Sequence, residues 1–251
     1  TMDKLNPTMN YWFYDRLSQR RTYREIGYHN YHVHYASRFN ELRHKVKKIL
    51  EIGVFRGHSM LMWQDYFPNA EIYGVDIEYT KHHLGVNAQD LCKDQPRIHL
   101  YQYDACNPLN VRLLMEEIGS DFDIIIDDGS HQSKHIIASF KFLFPYLNNN
   151  GIYVIEDLQT SYFPRYGGSR INLNKKKSSM NFIKSLTDTI NYEKNDRPFY
   201  KKSDFDGHIK SIYFHQNIAF INKGESVNYF YNEDFKKTFA DKIKKLISNI
   251  F

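Results

Sequence analysis

The sequence predicts an α/β protein whose core is a doubly wound, mostly parallel β-sheet with a C-terminal antiparallel hairpin strand. Two observations predict this fold. From residue 46 to residue 156, short apolar runs alternate with amphipathic stretches of helical length. Strands separated by such helices imply right-handed crossovers and a parallel sheet covered on both faces. Further on, two β-rich runs flank residues 215–217, which indicates an antiparallel pair that closes the sheet.

The individual elements follow from the same alternation. Apolar, β-branched runs bounded by polar residues indicate strands, and apolar positions three or four residues apart indicate helices. In chain order we predict strand 46–52, helix 59–67, strand 71–77, strand 99–103, helix 111–118, strand 122–127, helix 133–147 and strand 151–156.

The chain divides into three parts. Residues 1–45 are polar, aromatic and His-rich and are predicted to form an N-terminal arm, which ends in a helical pattern at 39–46. Residues 46–224 form the α/β domain, in which the basic, Asn- and Lys-rich segment 158–207 is predicted to be an insertion or lid with one helix. Apolar residues at helical spacing predict a helix in 225–251, which either packs on the domain or mediates self-association into a homo-oligomer.

Composition narrows the possible classes. A chain of 251 residues, 41% hydrophobic, forms one core with appendages and is too short for two full catalytic domains. Cys92 and Cys106 lack the spacing of a disulfide framework or zinc site. No apolar run approaches about 18 residues, so we expect a soluble, cytoplasmic protein without a membrane partner. The net charge of +5 comes from scattered Lys and Arg, which is typical of solvated faces rather than a nucleic-acid surface.

The loop after the first strand is the expected cofactor site, because open parallel sheets bind ligands beyond the carboxyl ends of their strands. It contains Glu51, Gly53, Phe55, Gly57 and Ser59, and its glycines allow the backbone to approach a ligand closely. The spacing differs from the GxGxxG of dinucleotide enzymes, and an acidic residue comes first. This favours S-adenosylmethionine, whose cationic sulfonium and amino groups prefer a nearby carboxylate. We assign these five residues to cofactor binding.

Acidic residues at later strand ends extend this site. Asp76 ends the second strand, where it can accept hydrogen bonds from ribose hydroxyls, and Asp104 follows the third strand in a position to contact adenine. Asp127 ends the fourth strand and is included among the cofactor-binding residues. The alternative for each is a purely structural role, such as capping the helix that follows.

Two predicted neighbouring strands each end in a pair of acidic residues, Asp127-Asp128 and Glu156-Asp157. Four carboxylates side by side repel one another, which destabilises the fold unless a cation neutralises them. A hard divalent cation with oxygen ligands meets this need. We predict Mg²⁺, with Mn²⁺ or Ca²⁺ as substitutes, held by Asp128, Glu156 and Asp157, although helix capping remains the alternative for these acids.

His131 lies three residues beyond Asp128, so it can sit beside the metal without ligating it. Imidazole accepts a proton near neutral pH, and a hydroxyl next to a metal loses its proton more readily than a free one. We therefore predict that His131 and Asp128 are catalytic, with His131 as general base and His135 as the second candidate. The alternative is a histidine at a helix start with only a local hydrogen bond.

Three segments of the sequence, 50–57, 125–131 and 154–162, resemble the metal-dependent sugar O-methyltransferases of macrolide biosynthesis, the mycinamicin and macrocin type. The likeness covers residues 45–168 and extends more loosely to 208–224. The family is also similar to cephalosporin-hydroxylase-like proteins of the same fold, so the resemblance alone does not fix the acceptor.

This resemblance implies the Rossmann-like fold of class I S-adenosylmethionine-dependent methyltransferases. It further implies that Asp128, Glu156 and Asp157 hold Mg²⁺ and that His131 is the catalytic base. Residues before 45 and after about 168, which shape acceptor choice and oligomer contacts in such enzymes, show no match, and the identity of the sugar stays open.

The sequence therefore predicts a Mg²⁺-dependent O-methyltransferase that acts on a sugar hydroxyl of a glycan or glycosylated metabolite and releases S-adenosylhomocysteine. Tyr162 and Tyr166 precede Gly167-Gly168 in an aromatic segment and are candidates for stacking on the sugar, or belong to a surface loop without that role. The alternatives are a catechol-type small-molecule O-methyltransferase and a non-catalytic carbohydrate- or nucleic-acid-binding module on the same fold. The absence of an Asn-Pro-Pro-Tyr motif argues against nucleic acid as the acceptor.

Overall fold

The computed structural model describes residues 31–79, 87–175, 177–194 and 202–224. Their strands form one seven-stranded sheet. These are β1 (Lys48–Ile52), β2 (Glu71–Asp76), β3 (Ile98–Gln102), β4 (Phe122–Asp127), β5 (Leu147–Ile155), β6 (Ile209–His215) and β7 (Ile218–Lys223). The strand order is β3-β2-β1-β4-β5-β7-β6.

The sheet has a parallel part and an antiparallel edge. Strands β1 to β5 pair in parallel, whereas β7 runs antiparallel to both β5 and β6. The predicted doubly wound sheet with a C-terminal hairpin is confirmed. Strand order reverses between β1 and β4, and the crevice beyond their carboxyl ends is where such sheets bind ligands.

Helices cover both faces of the sheet. The α-helices are α1 (Tyr31–Phe39), α2 (His58–Tyr66), α3 (Ala88–Cys92), α4 (Pro108–Ile118), α5 (Ser133–Leu143) and α6 (Ser179–Ile190). Short 3₁₀ turns occupy Asn40–Leu42, Phe144–Tyr146, Leu158–Tyr162, Pro164–Tyr166 and Tyr192–Lys194. Within the described part of the chain, every helix is too short or too polar to cross a bilayer.

Two apolar layers flank the sheet, because successive residues of a strand point to opposite faces. On one face, Ile49 belongs to a buried cluster with Trp63 of α2 and Phe39 of α1. On the other face, its neighbour Leu50 belongs to a cluster with Phe140 of α5. Helix α1 is therefore part of the domain core, although the sequence assigned it to an arm.

Some boundaries differ from the predicted ones. The helix predicted at 133–147 ends at Leu143, since Pro145 lies in a 3₁₀ turn and cannot continue the helical hydrogen bonds. Strand β5 then begins at Leu147, four residues before the predicted start. Helix α3 was not predicted. The helix predicted in the insertion is confirmed as α6, whereas residues 1–30 and the predicted C-terminal helix 225–251 lie outside the described residues.

Candidate active site

The loops after β1 and β4 touch each other at the switch point. Gly53 has φ +88°, and a Cβ atom built on it would lie 2.2 Å from the carbonyl oxygen of Asp128. Its amide donates to the carbonyl of Val75 at 2.9 Å. Only glycine combines this left-handed backbone with so close an approach. Gly53 thus brings the predicted cofactor loop against the predicted metal loop.

Glu51 and Ser59, both predicted to bind the cofactor, lie together inside the protein. The Glu51 carboxylate is only 2% exposed and accepts hydrogen bonds from the Ser59 hydroxyl and from Nε1 of Trp63. Burial raises the pKa of Glu51 to about 7, although the two hydrogen bonds oppose this rise. Because burial disfavours the charged form of this carboxyl, a cation placed nearby would stabilise its carboxylate.

Phe55, Gly57 and Asp76 form the rim of the same loop. The Phe55 amide donates to Oδ2 of Asp76 at 3.0 Å, and the Ile77 amide donates to Oδ1 at 2.8 Å. The Phe55 side chain is 65% exposed beside this carboxylate. Gly57, with φ +82°, begins α2, and a Cβ there would lie 3.0 Å from Sγ of Cys92 in α3. The loop after β1 and the end of β2 are therefore joined, as the cofactor prediction requires.

Asp104 and Asp127 accept hydrogen bonds from nearby residues of the protein. Oδ1 of Asp104 accepts from the Cys106 amide at 2.8 Å and closes the turn that leads to α4. Asp127 is 5% exposed and accepts from the Ser139 hydroxyl of α5 and from the Gly129 amide at 3.4 Å. Burial raises the pKa of Asp127. These contacts favour the structural alternative for both residues, and their cofactor-binding role stays a prediction.

Asp128, His131 and Asp157 converge beyond β4 and β5. One ligand atom from each lies within 4.8 Å of those of the other two. Nε2 of His131 is 3.5 Å from Oδ2 of Asp157. Burial, followed by the Glu156 charge, raises the pKa of Asp128 well above its usual range. The two half-buried carboxylates are oxygen ligands of the kind a divalent cation prefers, the cation would offset their repulsion, and the imidazole lies beside them.

Glu156 lies beside this group but is bonded differently. It follows β5 directly, and its Oε1 accepts a hydrogen bond from the Tyr35 hydroxyl of α1. Its charge still acts on Asp128. The structure therefore brings Asp128 and Asp157 together as predicted and adds His131 to them. The role of Glu156 as a metal ligand stays a prediction.

Residues 50–158 match a protein family described as methyltransferase domain. This segment of the chain is a methyltransferase domain of that family. The chain is 36% identical over 205 residues to the 8-demethyl-8-α-L-rhamnosyl tetracenomycin-C 2′-O-methyltransferase of Streptomyces olivaceus. The matched region covers 78% of this chain and 51% of that protein. The chain is also 34% identical over 223 residues to the mycinamicin VI 2″-O-methyltransferase of Micromonospora griseorubida, covering 84% of this chain and 52% of the relative.

A solved relative has the same fold as this chain. MycE from the mycinamycin biosynthetic pathway, solved with Mg, SAH and mycinamycin VI, superimposes with a TM-score of 0.72 at 31% identity, covering 87% of this chain and 56% of that one. The resemblance predicted from the three motif segments is confirmed. The chain spans about half the length of the curated relatives that it matches.

Two residues of this acidic group have strained backbones. His131 and Asp157 have φ of +56° and +53°, a conformation that costs a non-glycine residue about 1–3 kcal/mol. Thr160 holds both turns, because its hydroxyl lies 3.1 Å from the His131 carbonyl and 2.7 Å from that of Asp157. His135, the second candidate base, instead pairs with Ser130 through Nδ1 at 2.6 Å. The geometry thus favours His131 over His135.

The predicted acceptor residues lie in the 3₁₀ turns that follow Asp157. Tyr162 is 40% exposed, and the Arg165 guanidinium lies 4.9 Å from the ring centre of Tyr166. The neighbouring Phe163 is 39% exposed. An exposed aromatic surface therefore continues from the acidic group, and its contact with an acceptor stays a prediction.

Sequence reasoning missed two tyrosines of α1. Tyr31 donates to Oδ1 of Asp157 at 2.8 Å, and Tyr35 donates to Glu156. Burial raises the pKa of both phenols, which therefore stay protonated as donors. Their four-residue spacing was the available signal, because it places both on one helix face. That signal did not reveal what the face contacts, since the acceptors are 126 and 121 residues away.

Proposed function

We propose that this chain is a Mg²⁺-dependent O-methyltransferase that transfers the methyl group of S-adenosylmethionine to a sugar hydroxyl of a glycosylated metabolite or glycan. The observation that carries the proposal is the convergence of Asp128, His131 and Asp157 directly against the glycine loop after β1. Relatives named for O-methylation of a rhamnosyl tetracenomycin and of mycinamicin VI support the sugar as acceptor.

The ligands divide between two parts of the site. Asp128, Asp157 and Glu156 would hold Mg²⁺, whereas the loop after β1 and the carboxylate of Asp76 would hold the cofactor. When bound, S-adenosylmethionine supplies an electrophilic methyl group, and Mg²⁺ makes a hydroxyl more acidic. The contact between Gly53 and Asp128 keeps these two parts of the site next to each other, so the acceptor is oriented toward the methyl donor.

His131 performs the proton transfer in this proposal. Its Nε2 accepts the proton of the acceptor hydroxyl, and the hydroxyl oxygen forms a bond to the methyl carbon. The bond between that carbon and sulfur breaks, so S-adenosylhomocysteine leaves. Oδ2 of Asp157, 3.5 Å from Nε2, stabilises the imidazolium that results. The left-handed backbone at His131 sets the direction of its Cα–Cβ bond, and the Thr160 hydroxyl lies 3.1 Å from its carbonyl.

An acceptor screen tests the proposal. The protein is incubated with labelled S-adenosylmethionine, with Mg²⁺ or EDTA, and with rhamnosylated polyketides, nucleotide sugars and catechols. We expect Mg²⁺-dependent methylation of a sugar hydroxyl, loss of it in His131→Gln, and no loss in His99→Gln, whose ring pairs with Glu71 instead. Transfer to catechols alone would replace the sugar by an aromatic acceptor. No transfer and no binding of S-adenosylhomocysteine would favour the non-catalytic module.

A further inference from the structure

Helix α1 supplies two tyrosine hydroxyls to the acidic turn after β5. Tyr31 donates to Oδ1 of Asp157 at 2.8 Å, and Tyr35 donates to Oε1 of Glu156. The two tyrosines share one face of the helix, and their acceptors are consecutive in the chain. We propose that Tyr31 and Tyr35 are positioning residues of the metal centre, which fix the two carboxylates in the orientation that binds the cation. This inference rests on the proposed function for the presence of Mg²⁺.

The two oxygens of Asp157 have different partners. Oδ1 is bonded to Tyr31, whereas Oδ2 lies 3.5 Å from Nε2 of His131, inside the group that also contains Asp128. The hydrogen bond to Oδ1 favours one orientation of the carboxylate, in which Oδ2 is directed at that group. Tyr31 therefore selects which oxygen of Asp157 faces the cation.

Tyr31 also holds the backbone of the same residue. The Asp157 amide donates to the Tyr31 hydroxyl at 3.3 Å, and the hydroxyl lies 3.3 Å from the carbonyl oxygen of Asn217 at the β6–β7 turn. The next amide, of Leu158, donates to that same carbonyl at 2.9 Å. The left-handed conformation of Asp157 persists because several contacts determine it together.

Tyr35 is fixed by packing before it meets Glu156. Its side chain is 1% exposed, and its ring lies 5.2 Å from Phe39, 4.9 Å from Trp63 and 5.6 Å from Phe220. Edge contacts among aromatic rings hold such a side chain in one orientation. Trp63 in turn donates to Glu51 in the predicted cofactor site, so one aromatic cluster supports both halves of the site.

Hydrogen bonds to metal ligands change metal affinity by about 10–100-fold in other proteins. We expect Tyr31→Phe and Tyr35→Phe to weaken Mg²⁺ binding by this factor, because each keeps its ring and loses only the bond that orients a carboxylate. The Kd for Mg²⁺ is measured by titration calorimetry on the full chain saturated with S-adenosylhomocysteine. The Kd for S-adenosylhomocysteine and the thermal unfolding temperature without metal are measured in parallel.

Tyr66→Phe is the matched control. It removes a buried tyrosine hydroxyl that donates to Oδ1 of Asn40 at 2.8 Å, just after α1, and does not face the acidic turn. We expect its Mg²⁺ affinity to equal that of the wild type. If the α1 tyrosines had a purely structural role, all three variants would lower the unfolding temperature and would bind Mg²⁺ as tightly as the wild type.

The outcomes separate this inference from the proposed function. Wild-type protein that binds Mg²⁺ while both α1 variants bind it equally well would overturn the inference and leave the function standing. An equal loss in Tyr66→Phe would also overturn it, since the effect would then come from general loosening around α1. Wild-type protein without any Mg²⁺ binding would overturn both.

Discussion

Replacing Glu51 by Gln tests the electrostatics of the cofactor half of the site. The Glu51 side chain is buried at the end of β1 and bonded to Ser59 and Trp63. Gln has almost the same volume and can accept from Trp63 while donating to the Ser59 oxygen. The substitution therefore removes the titrating proton and keeps the packing.

The size of the effect follows from the pKa of Glu51, which burial raises from 4.5 to about 7. At 1.36 kcal/mol per pH unit, this corresponds to about 3 kcal/mol. Between these two values the folded protein keeps a proton that the unfolded chain releases. The stabilisation is thus present at low pH and is lost as the pH rises toward 7. Gln at this position does not titrate, so the variant lacks this loss.

Urea unfolding in EDTA at pH 5, 6, 7 and 8 measures the difference. We expect the free energy of unfolding of the wild type to fall, relative to Glu51→Gln, by about 2.5 kcal/mol between pH 5 and pH 8, because the first part of the loss already occurs below pH 5. Glu116→Gln serves as the control, because Glu116 is exposed in a surface pair with Arg112; its curve should run parallel to that of the wild type. Parallel curves for Glu51→Gln as well would show that the pKa of Glu51 is the same in the folded protein and the unfolded chain, contrary to this reasoning.

Three other substitutions and one control test the metal half. Gly53→Ala and Gly119→Ala both place a side chain at positive φ, which costs about 1–3 kcal/mol in urea unfolding. Gly53→Ala should cost more than Gly119→Ala and should also weaken Mg²⁺ binding, because its Cβ would lie 2.2 Å from the Asp128 carbonyl oxygen, whereas a Cβ at Gly119 meets nothing nearer than 3.5 Å. Asp128→Ala should abolish Mg²⁺-dependent transfer while S-adenosylhomocysteine still binds in calorimetry; lost cofactor binding with metal dependence retained would contradict its role. His131→Gln should reduce the rate of transfer about 10²–10⁴-fold with Mg²⁺ affinity retained, and a rate near wild type would exclude it as the base.

The sheet and the meeting of Asp128 with Asp157 were predictable because they depend on local signals. Apolar strands that end in acidic pairs identify β4 and β5, and parallel neighbours bring their carboxyl ends to the same edge. Pro145 also marks the end of α5, because proline breaks a helix, although the apolar helical periodicity of the sequence continues past it.

The location of α1 was not predictable in the same way. Its pattern of two tyrosines and apolar residues indicates a helix with a buried face, but nothing in a local pattern identifies the surface that covers it. Tyr35 meets Trp63 and Phe220 from distant parts of the chain, and its hydroxyl meets Glu156. Such contacts depend on the assembled sheet, so only the structure shows that the α1 tyrosines bond to the acidic turn.

The position of α1 has a consequence for anyone who shortens or recombines this protein. The matched domain starts at residue 50, yet Tyr31 and Tyr35 lie ahead of that point and bond to the turn at its far end. A chimaera joined at the first strand would inherit every recognisable motif and lose two donors to its acidic residues. Swaps within this family should therefore place their junction upstream of Tyr31.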